Sequence, residues 1–315
     1  DPNFDPKSID KPGLKLLGDR QLKFLDAWAQ DWKGAYLKTV LSQTIFCNLA
    51  NYHGGNQQYL IADLDSNGWP QSGRRRAVHA LRKAHALHFA GDQHLASIVH
   101  HGIEAWGDAG YSFCVPSIAA GYPRAWRPDK EGRPVRNRPK PGLPNTGEYK
   151  DGLANILTVH AIGNPDKQKP KGRIQTLHDK ASGYGVVRMN KAKGTITMEC
   201  HRLLIDAANL KPEDQFPGWP KTIRYTDNYG RKPVAHLPMI KVEGLENPVV
   251  QVKIAKTGEL IYALRIRGNS FRPPVFEKEE TYEVRVGEPD RGLWKTLKSL
   301  KGESADSPST RTVKF

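Results

Sequence analysis

RRRAVHALRKAHALHFAGDQH, Arg74 to His94, decides the fold class of this 315-residue chain. Val78, Leu81 and the run from Ala84 to Leu87 fall on one helical face with basic residues opposite, which predicts a helix over Arg74 to His88. LHFAG reads as a short strand, and Gly91 lets the chain turn sharply and present Asp92 and His94 at its end. Upstream, LLGDRQLKFLDAWAQDW, Leu16 to Trp32, reads as an amphipathic helix after a Gly-Asp start, and YLKTVLSQTIF as a buried strand. The order helix, strand, helix, strand predicts α/β layering, in which functional groups collect beyond the carboxyl ends of the strands. Asp92 and His94 sit at such an end.

Further along, YPRAWRPDKEGRPVRNRPKPGLP lies in a Pro- and Arg-rich region, 121–180, expected as a surface loop beside the site. SGYGVVRMNKAKGTITMEC reads as a hairpin around a Lys-Ala-Lys-Gly turn. QFPGWPKTIRYTDNYGRKP suits a linker over 209–235. VVQVKIAKTGELIYALRI and TYEVRVGE predict a small antiparallel β module over 236–290, followed by a polar tail, 291–315. Everything before the linker, 1–208, is expected to form the α/β part of the chain.

Lys and Arg outnumber Asp and Glu by 48 to 33, so a net charge of +15 predicts a surface that attracts anions. The basic residues are not interleaved with a recognisable nucleic-acid module, so nucleic acid enters only as one anionic ligand among others. Cys47, Cys114 and Cys200 lack CxxC spacing, which excludes zinc ribbons and dithiol redox motifs. No apolar run reaches the ~18 residues of a membrane helix, and DPNFDPKSIDKPG has no signal-peptide core. There is no P-loop and no G-x-S-x-G elbow.

Asp92 and His94, a carboxylate and an imidazole two positions apart, suit iron, zinc, manganese or calcium, and equally a strand-end cap. ADLDSNGWPQSGRRR gathers Asp63, Asp65 and Asn67 before Trp69. These suit an Asx turn ahead of a helix, or oxygens facing a metal, with Arg74 near an anion. His53-Gly54-Gly55-Asn56 and His100-His101 are further candidates to stand near the site.

Read in order, LLGDRQLKFLDAW, TVLSQTIF, DLDSNGWP, AGDQHLASIVHHG and DAGYSFCVPSIAAGYPRAW resemble the alkaline phosphatase D-like branch of the metallophosphoesterases, from about Leu16 to Cys200. The resemblance implies an α/β/β/α sandwich and a pair of metal ions, iron or zinc with calcium or a similar ion. It implies hydrolysis of phosphate mono- or diesters. Asp92 and His94 match the family's late Gly-Asp-x-His ligands; Asp63, Asp65 and Asn67 fall in its Asp-rich segment, and Trp69 matches the aromatic there. Asn67 joins Asp92 and His94 as a catalytic candidate, and Arg74, Arg124 and Trp69 are the substrate-binding candidates. The family's early ligands have no counterpart before Asp63, which implies the C-terminal half of a catalytic domain working with an N-terminal half as partner. Such enzymes are usually exported, so the expected location is extracellular or periplasmic. The other expectation is a non-catalytic basic protein that binds anionic polymer on the same scaffold.

Overall fold

The computed structural model describes residues 3–118, 121–164, 172–303 and 309–315. Residues 165–171 of the expected loop and 304–308 of the expected tail lie outside them. The chain is a mixed α/β protein, rich in sheet and poor in helix. Two early helices form as expected, α1 (Asp19–Gln30) and α2 (Gln71–Arg82), though both are shorter than their apolar patterns. α2 stops at Arg82 because His85 turns left-handed, with φ +50°, and redirects the chain into a strand.

The central sheet holds β1 (Thr39–Leu41), β2 (Leu87–Ala90), β3 (Ser97–His101), β4 (Tyr111–Cys114), β5 (Gly147–Lys150) and β6 (Ile156–Ile162). Their order is β1-β2-β4-β3-β6-β5. β1, β2 and β4 run parallel, and the remaining pairs are antiparallel. The pleat sends alternate side chains to opposite faces. Leu87, Ile98 and Phe113 join one core cluster, whereas Ala90, Val99 and Cys114 join another.

Against the first face packs a three-stranded sheet of β7 (Gly183–Asn190), β8 (Thr195–Arg202) and β9 (Lys221–Arg224). β7 and β8 are the expected hairpin, in register from Gly183↔Arg202 to Asn190↔Thr195. A Cβ on Gly185 would come within 2.9 Å of the Phe113 ring, so only glycine permits this close approach of the two sheets. The opposite face carries α2 and the segment Thr44–Asn51. That segment is buried throughout but lies outside the β1 strand. The expected single strand over 36–46 is therefore cut short at Leu41.

Residues 209–235 are not a linker. They supply β9 and bury Phe216, Trp219, Ile223, Tyr225 and Tyr229 in the main core. Beyond them, β10 (Met239–Glu243), β11 (Val249–Ile254), β12 (Leu260–Arg265), β13 (Thr281–Glu288), β14 (Leu293–Lys301) and β15 (Thr310–Lys314) follow. The sheet β12-β11-β13-β14 contains the three strands read from sequence, plus one from the expected tail. β15, also in that tail, pairs in parallel with β10 because Val313 is buried opposite Val242. This β region shares a continuous core with α1 and the central sheet, so hydrophobic burial gives it no separate interior. No helix among the described residues is long and apolar enough to cross a membrane.

Candidate functional site

The three parallel strands end together, and their carboxyl edge carries Gly91 to His94. Gly91 N–H donates to the Gln43 carbonyl at 3.1 Å, and Val115 N–H donates to the Ala90 carbonyl at 2.9 Å. Gln93 is buried and its amide donates to Thr44 Oγ1 at 2.6 Å. Between these anchors Asp92 and His94 adopt left-handed backbones, φ +62° and +49°. Each such residue costs on the order of 1 kcal/mol, and held strain of this kind clusters at functional sites.

Asp92 is exposed, and among the described residues no hydrogen bond or ion pair reaches its carboxylate. His94 Nδ1 lies 2.8 Å from the Tyr122 carbonyl. A carbonyl only accepts, so Nδ1 carries the proton and Nε2 keeps a lone pair free to ligate. That is the tautomer a metal-binding histidine needs.

A second group adjoins through Tyr122. Its ring meets the His94 ring edge-on at 6.2 Å, and the Arg124 guanidinium lies over it at 5.9 Å. The short pairing of Tyr52–His53 with Arg124–Ala125 sets His53 beside Arg124. Arg124 Nη1 stands 3.9 Å and His53 Nε2 4.0 Å from Asp63 Oδ2, both too long for hydrogen bonds. Burial, partly offset by the Ala50 carbonyl, holds the His53 imidazole below its usual range. Asp63 Oδ2 and Arg124 Nε and Nη1 are buried without a hydrogen-bond partner. These atoms form a donor and acceptor set whose capacity is not used internally.

The other expected residues have different work. Asp63 Oδ1 accepts from Asp65 N–H at 3.0 Å, the Asx turn that was one reading of this segment, and Asp65 itself is exposed. Asn67 is buried and donates to the Thr44 carbonyl at 2.9 Å and Ser42 Oγ at 3.3 Å, so it braces the loop after β1 instead of facing substrate. Trp69 Nε1 donates to the Ile9 carbonyl at 3.1 Å. Arg74 is 1% exposed and cannot meet a substrate; it donates to the Phe46 and Gly102 carbonyls and to His101. His101 is likewise buried, and His100 stacks on Tyr111 and bonds the Ala109 carbonyl.

The basic loop is also less free than its composition suggests. Arg138 forms a bidentate pair with Asp129 at 2.9 Å, Arg133 pairs with Glu131, and Trp126 is fully buried. Although burial opposes it, Arg138, the Asn145 N–H and the Tyr149 hydroxyl bring the Asp129 carboxyl down to about 2.

Among the described residues no three His, Cys, Asp or Glu side chains gather as a metal-binding group. Asp92 and His94 thus offer two donors, whereas a bound divalent ion takes four or more. Sequence reasoning missed Tyr122, Gln93 and Thr44, which fix this turn through one backbone carbonyl and one amide–hydroxyl bond. Comparison with protein-family models, curated proteins and solved structures returns no match, so the family likeness rests on the motifs alone.

Proposed function

We propose that this chain supplies one side of a metal-dependent phosphoesterase site, with Asp92 and His94 as ligands and Arg124 as the phosphate-binding group. The observation that carries the reading is the His94 tautomer. Nδ1–H on the Tyr122 carbonyl leaves Nε2 with a free lone pair, two residues along the same turn from the exposed Asp92. Asp92 and His94 would hold part of a pair of cations, iron or zinc with calcium or a similar ion, which when bound would supply water activation and charge neutralisation. Arg124 attracts and orients the ester phosphate through the exposed part of its side chain, and Asp63, 3.9 Å from the buried Nη1, keeps the guanidinium in place.

The missing donors come from a partner polypeptide, which we take to be the N-terminal half of a metallophosphoesterase sandwich. Two features support it. Among the described residues β1 pairs with β2 and β7 with β8, and neither pairs with a strand on its other side, so the two stacked sheets each present an edge. Leu41, Ile118 and Met189, which are 77%, 61% and 42% exposed, lie on or near those edges. An unpaired, apolar edge is a template for added strands. The stacking of α2, the central sheet and the hairpin sheet in three layers supports the reading, since such a sandwich requires four.

Elemental analysis and intact mass of protein purified from its source, with assay on a chromogenic phosphodiester, test this. Two metals, a companion polypeptide and turnover abolished by Asp92→Ala are expected. Metal-free, inert, single-chain protein would end the reading. That result would favour the non-catalytic alternative, a basic binder of anionic polymer, to which the +15 charge points.

A further inference from the structure

On the α2 side of the central sheet, a line of polar side chains crosses the strands where apolar ones would be expected. Ser42 follows β1, His88 lies in β2, Ser112 in β4 and His101 in β3, and Arg74 of α2 closes the line. Ser42 Oγ lies 2.7 Å from His88 Nε2, and His88 Nδ1 lies 2.7 Å from Ser112 Oγ. Ser112 Oγ is 2.6 Å from His101 Nε2, and His101 Nδ1 is 3.2 Å from Arg74 Nη2. His88, Ser112, His101 and Arg74 are all buried.

The donor order of this line is forced. Arginine has no acceptor, so Arg74 donates to His101 Nδ1 and the neutral imidazole carries its proton on Nε2. Nε2–H therefore donates to Ser112, whose hydroxyl must donate onward to His88 Nδ1. His88 in turn carries its proton on Nε2 and donates to Ser42. Ser42 also accepts from Asn67 and donates to the Thr44 carbonyl at 2.7 Å, so every hydrogen finds an acceptor. A charged His101 would set its Nδ1–H against Arg74, and a charged His88 would leave the Ser112 hydroxyl hydrogen without an acceptor in the line. Such an ordered chain is high-stakes, because breaking one member leaves its neighbours unpaired.

The far end of the line reaches the candidate site. The residues after Ser42 grip the Asp92 turn, Gln43 through Gly91 N–H and Thr44 through Gln93. We infer that Arg74 is a positioning residue: its guanidinium sets the tautomers of His101 and His88 in sequence and thereby holds the Ser42–Thr44 loop against the turn that carries Asp92. The consequence for catalysis rests on the ligand role proposed for Asp92 and His94. The relay itself does not.

Nitrogen-15 correlation spectra of histidine-labelled protein at pH 7.5 test the order directly. In the unaltered chain His88 and His101 are expected to be neutral Nε2–H tautomers. In Ser112→Ala, His101 keeps that tautomer because Arg74 still holds its Nδ1, whereas His88 gains an Nδ1–H population. Amide exchange at Gly91 should rise about tenfold or more, as expected when a holding bond worth roughly 1.4 kcal/mol is lost. Ser42→Ala, at a half-buried position, gives a second reading if Ser112→Ala does not fold: His88 stays Nε2–H, and Gly91 exchange still rises. An Nδ1–H or charged ring in the unaltered chain, an unmoved His88 in Ser112→Ala, or unchanged Gly91 exchange would overturn the inference. Turnover surviving Asp92→Ala while the tautomers stand as stated would sink the hydrolase reading and leave the relay intact.

Discussion

Two polar groups adjoin the turn that carries Asp92 and His94, one through the Ser42–Thr44 loop and one through Tyr122, and they differ in one respect. Along the Arg74–His101–Ser112–His88–Ser42 line every donor meets an acceptor. In the Asp63–Arg124–His53 group, one carboxylate oxygen and two guanidinium nitrogens are buried without partners. A buried polar atom left unpaired costs about 1–3 kcal/mol, so the first group is explained by what it holds together and the second is not. The difference separates residues whose polar atoms are all used within the scaffold from residues with polar atoms the scaffold leaves unpaired, the ones we propose for ligand binding. Both kinds were drawn from the same candidates, Arg74 and Arg124 among them.

The sharpest way to break the comparison is Arg74→Met. It leaves the Phe46 and Gly102 carbonyls and His101 Nδ1 without their donor and should cost about 3–5 kcal/mol in urea unfolding. Arg75→Met, one residue on, removes an exposed pair with Glu104 and an exposed bond to the Ile103 carbonyl, and should cost less than about 1 kcal/mol. Equal losses would mean that the buried line contributes nothing beyond a surface ion pair.

Acid is the next probe. Burial holds His88 and His160 down to about 3 and His85 and His100 down to about 4, and with the Arg74 charge it lowers His101 as well. The unfolded chain protonates these rings near their ordinary value of about 6.5, so below that pH it binds more protons than the fold does. Stability is therefore complete above about pH 6.5 and falls as pH drops toward 4, by up to about 1.4 kcal/mol per pH unit for each ring. His85 makes this a test of the shared core, since its ring packs between Tyr229 and Tyr262 where the central sheet meets the later strands. Urea midpoints that stay level from pH 7 to 4.5 would contradict the burial of these rings.

Much of this scaffold was legible in sequence because the relevant interactions are local or periodic. α2, the strand that ends at Gly91 and the β7–β8 hairpin follow from spacing and a turn. Even the burial of Arg74 had a signal: with Val78 and Leu81 it falls at i, i+4 and i+7, on the apolar face. What escaped was long-range. Thr44–Asn51 reads as a strand by its hydrophobicity, yet much of its backbone bonding comes from side chains distant in sequence. Arg74 donates to Phe46, Asn67 donates to Thr44, and Asp151 accepts from Asn48 at 2.8 Å. The same holds for β9 and β15, whose polar or proline-rich surroundings mask strands that a distant partner selects. At the site, the sequence exposed Asp92 and His94 but not the Tyr122 carbonyl that fixes the histidine, since every residue has a carbonyl and no pattern marks one.

The smallest expected stability change carries the most about function. Arg124→Met removes a guanidinium whose Nε and Nη1 bond nothing in the fold, and whose nearest carboxylate oxygen stands at 3.9 Å. Its loss should change stability by less than about 1 kcal/mol, because removing two unpaired buried nitrogens offsets the loss of a loose ion pair to Asp63 and a cation–π contact. Inorganic phosphate separates the two roles. A ligand present at ten times its Kd stabilises the state that binds it by about 1.4 kcal/mol, so phosphate should raise the urea midpoint of the unaltered chain. Arg124→Met should abolish that rise and Arg74→Met should retain it, since Arg74 is sealed beneath α2. A large loss of stability in Arg124→Met, or an equal response to phosphate with and without the guanidinium, would move Arg124 into the scaffold and erase the distinction between the two polar groups.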